Sequence, residues 1–168
     1  MKNFKKGEIV NSGKAKSLYK TSNPDLYIMH YSDNASAFDG VKKESLEGKG
    51  KTNNKFNAFI MKLLEKEGIA THFEELTSDT DSLVKKLDMV PVECVIRNLT
   101  AGSICKRLGL KEGLDLNPPI FEFFFKDDDL HDPMINEHHI ISFDWATKAQ
   151  IEEMKKKTFR VNEILKKL

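Results

Sequence analysis

Apolar positions recur at two different periods along the chain, and the changes of period divide it into elements. Residues 8–20 predict two short strands turning at Ser12-Gly13, with Ile9, Val10, Ala15, Leu18 and Tyr19 as apolar members. Asn23-Pro24-Asp25 predicts a turn, and Leu26–Tyr31 the strand after it. Residues 32–40 then read as a small, polar, acidic loop, and residues 47–54 as a flexible, basic one. From there Phe56, Phe59, Ile60, Leu63 and Leu64 fall at helical spacing, with Lys62, Glu65 and Lys66 outside. That pattern predicts an amphipathic helix buried through those five residues, with Gly68 as its C′ residue.

Strands are expected over residues 69–76 and 82–90, where Pro91 interrupts pairing and argues for an edge or bend. An apolar run beginning at Met89 leads into Arg97, then Thr100-Ala101-Gly102-Ser103 and a short helical segment, with Ser103 as the expected N-cap. A loop from Lys111 to Pro119 precedes a strongly β-prone segment at 120–125, flanked by Lys126 and Asp127-Asp128-Asp129. His131-Asp132-Pro133 and residues 136–139 read as a polar cluster, but neighbouring Glu137, His138 and His139 do not project together as zinc ligands require. Thr147 with Gln150 three residues on is a capping-box pattern. The helix after it should bury the stripe Ile151, Met154, Thr158, Val161, Leu165 and Leu168.

A length of 168 residues allows one sizeable core, or one domain and part of a second. Lys and Arg number 27 against 26 Asp and Glu, so no basic field favours nucleic acid. No apolar run reaches the length of a membrane span, and no apolar signal core follows the basic N-terminus, so the expected location is cytoplasmic. Cys94 and Cys105 sit in apolar company without metal-type spacing, as free thiols do in a reducing compartment. Lys14 and Lys16, two apart on a strand beside a glycine turn, share one face that suits either phosphates or water; the spacing is not that of a Walker loop. Arg97 and a helix starting at Ser103 suit an anion, or equally an ordinary capped turn.

Taken together, ordered blocks along almost the whole chain resemble the SAICAR synthetase family, the phosphoribosylaminoimidazole-succinocarboxamide synthases of purine biosynthesis. They are Gly13-Lys14-Ala15-Lys16, Ser36-Ala37-Phe38-Asp39-Gly40, Lys49-Gly50 with Asn53-Asn54-Lys55-Phe56-Asn57, and the run from Lys85 to Glu93. Arg97-Asn98, Ala101-Gly102-Ser103, Lys106-Arg107-Leu108-Gly109, Leu116-Asn117-Pro118-Pro119, His131-Asp132-Pro133-Met134 and Asn136-Glu137 continue the series. The resemblance is to a shortened member, because the family continues past the final helix with further segments rich in functional carboxylates.

The resemblance implies an α+β fold in two parts. Residues 1–90 would form an antiparallel-sheet nucleotide-binding part, similar to kinase and ATP-grasp arrangements, and residues 91–168 an incomplete α/β substrate-binding part. It implies an ATP-dependent ligase that uses Mg²⁺ and joins L-aspartate to carboxyaminoimidazole ribonucleotide through an acyl phosphate, giving SAICAR, ADP and phosphate. Carried over by residue, Lys14, Ala15 and Lys16 face the ATP phosphates, and Lys86, Asp88, Met89 and Val90 hold the adenine. Arg97 and Ser103 hold the ribonucleotide phosphate; Ser36, Asp39, Gly40, Lys49 and Asn53 border the substrate carboxylates. Lys16, Asp39 and Asp132 are the implied catalytic residues, the metal ligands are not implied by any residue present, and a homo-oligomer, a dimer, is the implied assembly. The alternative for a shortened chain is a module that binds nucleotide or ribonucleotide without turnover, as a regulator or completed by a partner.

Overall fold

The computed structural model describes residues 4–13, 15–37 and 42–168, the side chains of residues 35–37 and 42–43 excepted. The chain divides into two units, Met1–Asp88 and Met89–Leu168.

In the first unit, strands β1 (Ile9–Ser12), β2 (Lys16–Lys20), β3 (Leu26–Tyr31), β6 (Phe73–Leu76) and β7 (Asp81–Lys85) form one antiparallel sheet in the order β1-β2-β3-β7-β6. The turn into β3 forms as Asn23-Pro24-Asp25 leads one to expect: the Asn23 side-chain carbonyl accepts from the Asp25 amide at 2.9 Å. Met29, Tyr31 and Val84 form the buried cluster, with Leu18 and Tyr27 packed on it. The expected loop at 32–40 is instead partly a hairpin, because β4 (Asn34–Ala37) pairs with β5 (Lys42–Ser45). Helix α1 (Lys49–Lys66) packs on β3, β6 and β7.

Two expectations for α1 fail. The helix begins at Lys49, so most of the stretch read as a basic loop is helical. Its buried residues are Gly50, Asn54, Ala58 and Leu64; of the five expected, Leu64 is buried and Ile60 and Leu63 half-buried, while Phe56 and Phe59 are exposed and stack on each other with ring centres 6.4 Å apart. The reason is the closeness of helix and sheet. A Cβ on Gly50 would lie 2.4 Å from the Tyr31 carbonyl oxygen, so no side chain fits at that end of the contact. Asn54 is fully buried; its Nδ2 donates to the carbonyls of Ser78, Asp79 and Asp81, and its Oδ1 accepts from Ser82 Oγ at 2.5 Å. Gly68 does take the expected left-handed conformation (φ 83°) after the C-cap at Glu67. The chain then needs residues 69–72 to leave the helix, so β6 starts only at Phe73. Likewise β7 stops at Lys85, where the Lys86 amide turns to the Asp25 carbonyl, and the expected continuation to residue 90 does not form.

The second unit is built on β8 (Val92–Leu99) and β9 (Asp115–Phe125), paired antiparallel, with β10 (Met134–Ile135) on the far side of β9. Strand β9 extends further back than the β-prone segment, through Asn117, Pro118 and Pro119, with a cis bond at Asn117-Pro118. Prolines are tolerated there because β10 meets β9 only at Phe123 and Phe124, which leaves the proline stretch an edge on one side. Side chains alternate between two faces. Val92, Cys94, Phe121 and Phe123 join Ile140, Ala146 and Ile151 in the core beneath α3 (Glu137–Ser142) and α4 (Lys148–Leu165). Glu122, Phe124 and Arg97 lie on the opposite face, on the same side as α2 (Ser103–Leu108), as the register Val95↔Glu122 and Arg97↔Ile120 requires.

The capping box at the start of α4 is present as read: Thr147 Oγ1 accepts from the Gln150 amide, and Gln150 accepts from the Thr147 amide. Ile151 is fully buried, but near the C-terminal end Ile164 is buried and Leu165 and Leu168 are exposed, so the stripe drifts off the expected heptad. The 136–139 cluster is local helix chemistry, a capping box of Asn136 with His139 at the start of α3.

Candidate functional site

In the first unit, the β1–β2 turn is closed by the Gly13 amide donating to the Lys16 carbonyl at 2.9 Å, and the Ala15 carbonyl accepts from the Ser32 amide. Lys16 is exposed on β2 opposite Tyr31. Lys14, Asp39 and Gly40 lie outside the described residues; Ser36 is in β4 opposite Lys43. A second group forms where the strand after β3 meets the start of α1. The Asp33 carboxylate accepts from the amides of Gly48 (3.3 Å) and Gly50 (2.8 Å), and Lys49 Nζ donates to the Asn34 carbonyl at 2.7 Å. A protein carboxylate thus satisfies two of the amides at the α1 N-terminus. Asn53 is half-buried on α1, beside the wholly structural Asn54.

Lys16 also acts on a residue the sequence gave no reason to single out. Burial pulls the His72 imidazole pKa down, and the nearby positive charges of Lys16 and Lys85 add to the effect against Glu65. His72 Nε2 is buried without a hydrogen-bond partner, as is Asn57 Nδ2. Lys86, Asp88 and Met89 lie beyond the end of β7 and are exposed, Met89 strongly at 79%, whereas Val90 packs on the core of the second unit.

The second unit brings Arg97 and Ser103 together. Arg97 Nη2 donates to Ser103 Oγ at 3.0 Å, its Nη1 to the Ala101 carbonyl at 3.0 Å, and its Nε to Glu122 Oε2 at 2.6 Å. The expected capping role of Ser103 is therefore not found. Gly102 is the N-cap, at φ 64° and ψ −129°, a conformation open to glycine, and the Ser103 hydroxyl is turned to Arg97. Arg107, one turn along α2, donates through Nη2 to the other oxygen of Glu122 at 2.5 Å. Both guanidiniums lie over the Phe124 ring, at 6.0 and 5.6 Å. Burial alone would raise the Glu122 pKa, but the hydrogen bonds and charges of Arg97 and Arg107 outweigh it and hold the carboxyl below its ordinary value. Two cations against one anion leave this partly exposed patch net positive, which suits a phosphate.

Asp132, at φ 47°, accepts from Lys126 Nζ at 2.9 Å and from the Asp127 amide at 3.1 Å. A cleft of ≈ 540 Å³ beside Asn98, Asp115, Asn117 and Lys166 holds none of these groups. Glu122 and Arg107 had no role read from the sequence, although the one charge inside a phenylalanine run and a cation one turn past Ser103 were signals for them; Asp33 and His72 carried none. Among the described residues, no three His, Cys, Asp or Glu side chains come together as a metal-ligand set, and no helix is long and apolar enough to cross a membrane.

The fold and the site together define an α+β chain with an antiparallel-sheet unit and a net positive arginine patch. The SAICAR synthetase family model matches residues 9–168. The chain is 59% identical over 165 residues to the phosphoribosylaminoimidazole-succinocarboxamide synthase of Hahella chejuensis, covering 98% of this chain and 70% of that protein. It is 62% identical over 156 residues to the synthase of Alteromonas mediterranea, covering 93% and 66%. Among solved structures, the Ehrlichia chaffeensis synthase matches with TM-score 0.91 at 42% identity, over 94% of this chain and 67% of that one. A SAICAR synthetase in complex with ADP matches with TM-score 0.89 at 43% identity, over 95% and 67%. The chain belongs to the SAICAR synthetase family.

Proposed function

We infer that this chain carries out its family's reaction, the ATP-dependent joining of L-aspartate to carboxyaminoimidazole ribonucleotide in purine biosynthesis. The observation that carries the reading is the 59% identity to a synthase across 98% of the chain. The substrate carboxylate attacks the γ-phosphorus of ATP, ADP leaves, and an acyl phosphate results. The aspartate amine then attacks the acyl carbon, phosphate leaves and the amide forms. Such chemistry needs positioning and charge neutralisation more than covalent help from the protein.

In this reading Lys14, Ala15 and Lys16 meet the ATP phosphates, and Lys86, Asp88, Met89 and Val90 the adenine. Support comes from the exposed Lys16 ammonium beside a closed glycine turn and from the ADP complex of a 43% identical relative. The second unit holds the ribonucleotide phosphate through Arg97 and Ser103, supported by their mutual hydrogen bond and the net positive patch around them. Ser36, Asp39, Gly40, Lys49 and Asn53 receive the substrate carboxylates, and Lys16, Asp39 and Asp132 serve at the reacting atoms. Magnesium would neutralise the ATP phosphates when bound; among the described residues no three His, Cys, Asp or Glu side chains gather to hold it, and the part this chain plays in charge neutralisation is that of its lysines and arginines. A cytoplasmic dimer completes the reading, with exposed Phe159 and Leu165 on α4 as apolar surface for a second copy.

The test is direct. Purified protein with ATP, Mg²⁺, L-aspartate and carboxyaminoimidazole ribonucleotide should yield the succinylcarboxamide and ADP in step. Arg97→Ala should lower kcat/KM by about 100-fold, as loss of a charge-assisted phosphate contact does. Ligand binding without product overturns the reading in favour of a binding module.

A further inference from the structure

The second unit spends a buried carboxylate where packing calls for none. Strand β9 reads Ile120-Phe121-Glu122-Phe123-Phe124-Phe125, and Glu122 is 6% exposed. An apolar residue at that place would avoid the desolvation of a charge. What the carboxylate does instead is divide itself between two cations: one oxygen takes Arg97 Nε and the other Arg107 Nη2. Without it, two guanidiniums stacked over one phenylalanine would repel each other toward solvent.

The bond to Nε fixes rotation of the Arg97 fork, and the bonds to the Ala101 carbonyl and Ser103 hydroxyl fix its plane. These use three of the five guanidinium N–H groups, leaving one on each terminal nitrogen for a ligand. Arg107 is anchored on Glu122 and the Met134 sulfur, and its side chain remains 30% exposed.

We propose that Glu122 is a positioning residue of the phosphate subsite, fixing the Arg97 edge and holding Arg107 beside it as a second cation toward the same phosphate. This rests on the reading of Arg97 and Ser103 as ribonucleotide-phosphate contacts. Glu122 touches no substrate; it acts through the two arginines.

The experiment measures binding of carboxyaminoimidazole ribonucleotide and of its 5′-dephosphorylated nucleoside by calorimetry, on wild type, Glu122→Gln and Arg107→Gln, each checked for folding by circular dichroism. The ratio of the two affinities isolates the phosphate. Wild type should prefer the nucleotide, and Glu122→Gln should reduce that preference about tenfold while leaving nucleoside affinity unchanged. Arg107→Gln should reduce it too, and it decides the matter alone if Glu122→Gln does not fold. A merely structural role would weaken both ligands in parallel or neither, and a preference kept in the folded variants overturns the positioning role alone. No preference in wild type overturns the underlying phosphate reading and this proposal with it.

Discussion

Gly50 leaves no room for a side chain, since a Cβ would sit 2.4 Å from the Tyr31 carbonyl oxygen. Gly50→Ala must push α1 off the sheet, and overpacking of this kind costs about 1–3 kcal/mol. Asn54→Leu strands the carbonyls of Ser78 and Asp79 and the Ser82 hydroxyl, while the Asp81 carbonyl keeps the Thr77 and Ser78 amides, an expected loss of about 2–4 kcal/mol. Phe59→Ser, by contrast, should change stability by less than about 0.5 kcal/mol, because the ring is 54% exposed. Urea denaturation of the three variants checks the order, which is the reverse of what hydropathy suggests. That reversal is why this helix was legible in its existence and in the burial of Leu64, but not in the rest of its buried face. Polar and small residues at helical spacing look solvated, and only the distance to β3, which no local pattern encodes, makes them the ones that fit.

Helix ends were read unevenly, for a reason that lies in who competes for the capping side chain. Thr147 and Gln150 have each other and no rival, so the pattern became the structure. Thr147→Ala should cost about 1 kcal/mol, visible as a fall in Tm of the second unit's transition. Ser103 has the same chemistry but stands within reach of Arg97, and a charged donor outbids a backbone amide for its oxygen. Glycine at 102 then makes the turn without a side chain. Strands were similarly legible where an apolar, aromatic run follows a turn signal, as in β3, and overrun where prolines occur on a strand with one open edge, as in β9.

Across the whole molecule, the family was legible from the order of many short blocks, none decisive alone, because each records a local constraint on the same fold. The candidate site was legible only as far as residue types go; which arginine neutralises which carboxylate depends on strand register. The same ion pairs set the acid response. Asp79, hydrogen-bonded to Lys51 and Lys55, is lowered from 3.8 to about 2. Asp81 is lowered too: burial opposes it, but Lys6, His30 and Ser78 prevail, and Glu122 follows the same logic in the second unit. Groups held below their unfolded values stabilise the fold at neutral pH. That stabilisation is full above the ordinary carboxylate range and is lost as pH falls through the lowered values. The urea midpoint should therefore fall steadily below about pH 4.5, and a folded Glu122→Gln variant should show a shallower fall.

Strand β9 also has a history before it is folded. During synthesis Ile120-Phe121-Glu122-Phe123-Phe124-Phe125 leaves the ribosome ahead of β10, α3 and α4, which later cover it. In that interval Glu122 is the single charge inside a segment otherwise suited to stacking into cross-β ladders with its own copies. The carboxylate that orients two arginines in the finished protein is thus also a gatekeeper for the nascent one. Glu122→Phe should shift expressed protein from the supernatant into inclusion bodies.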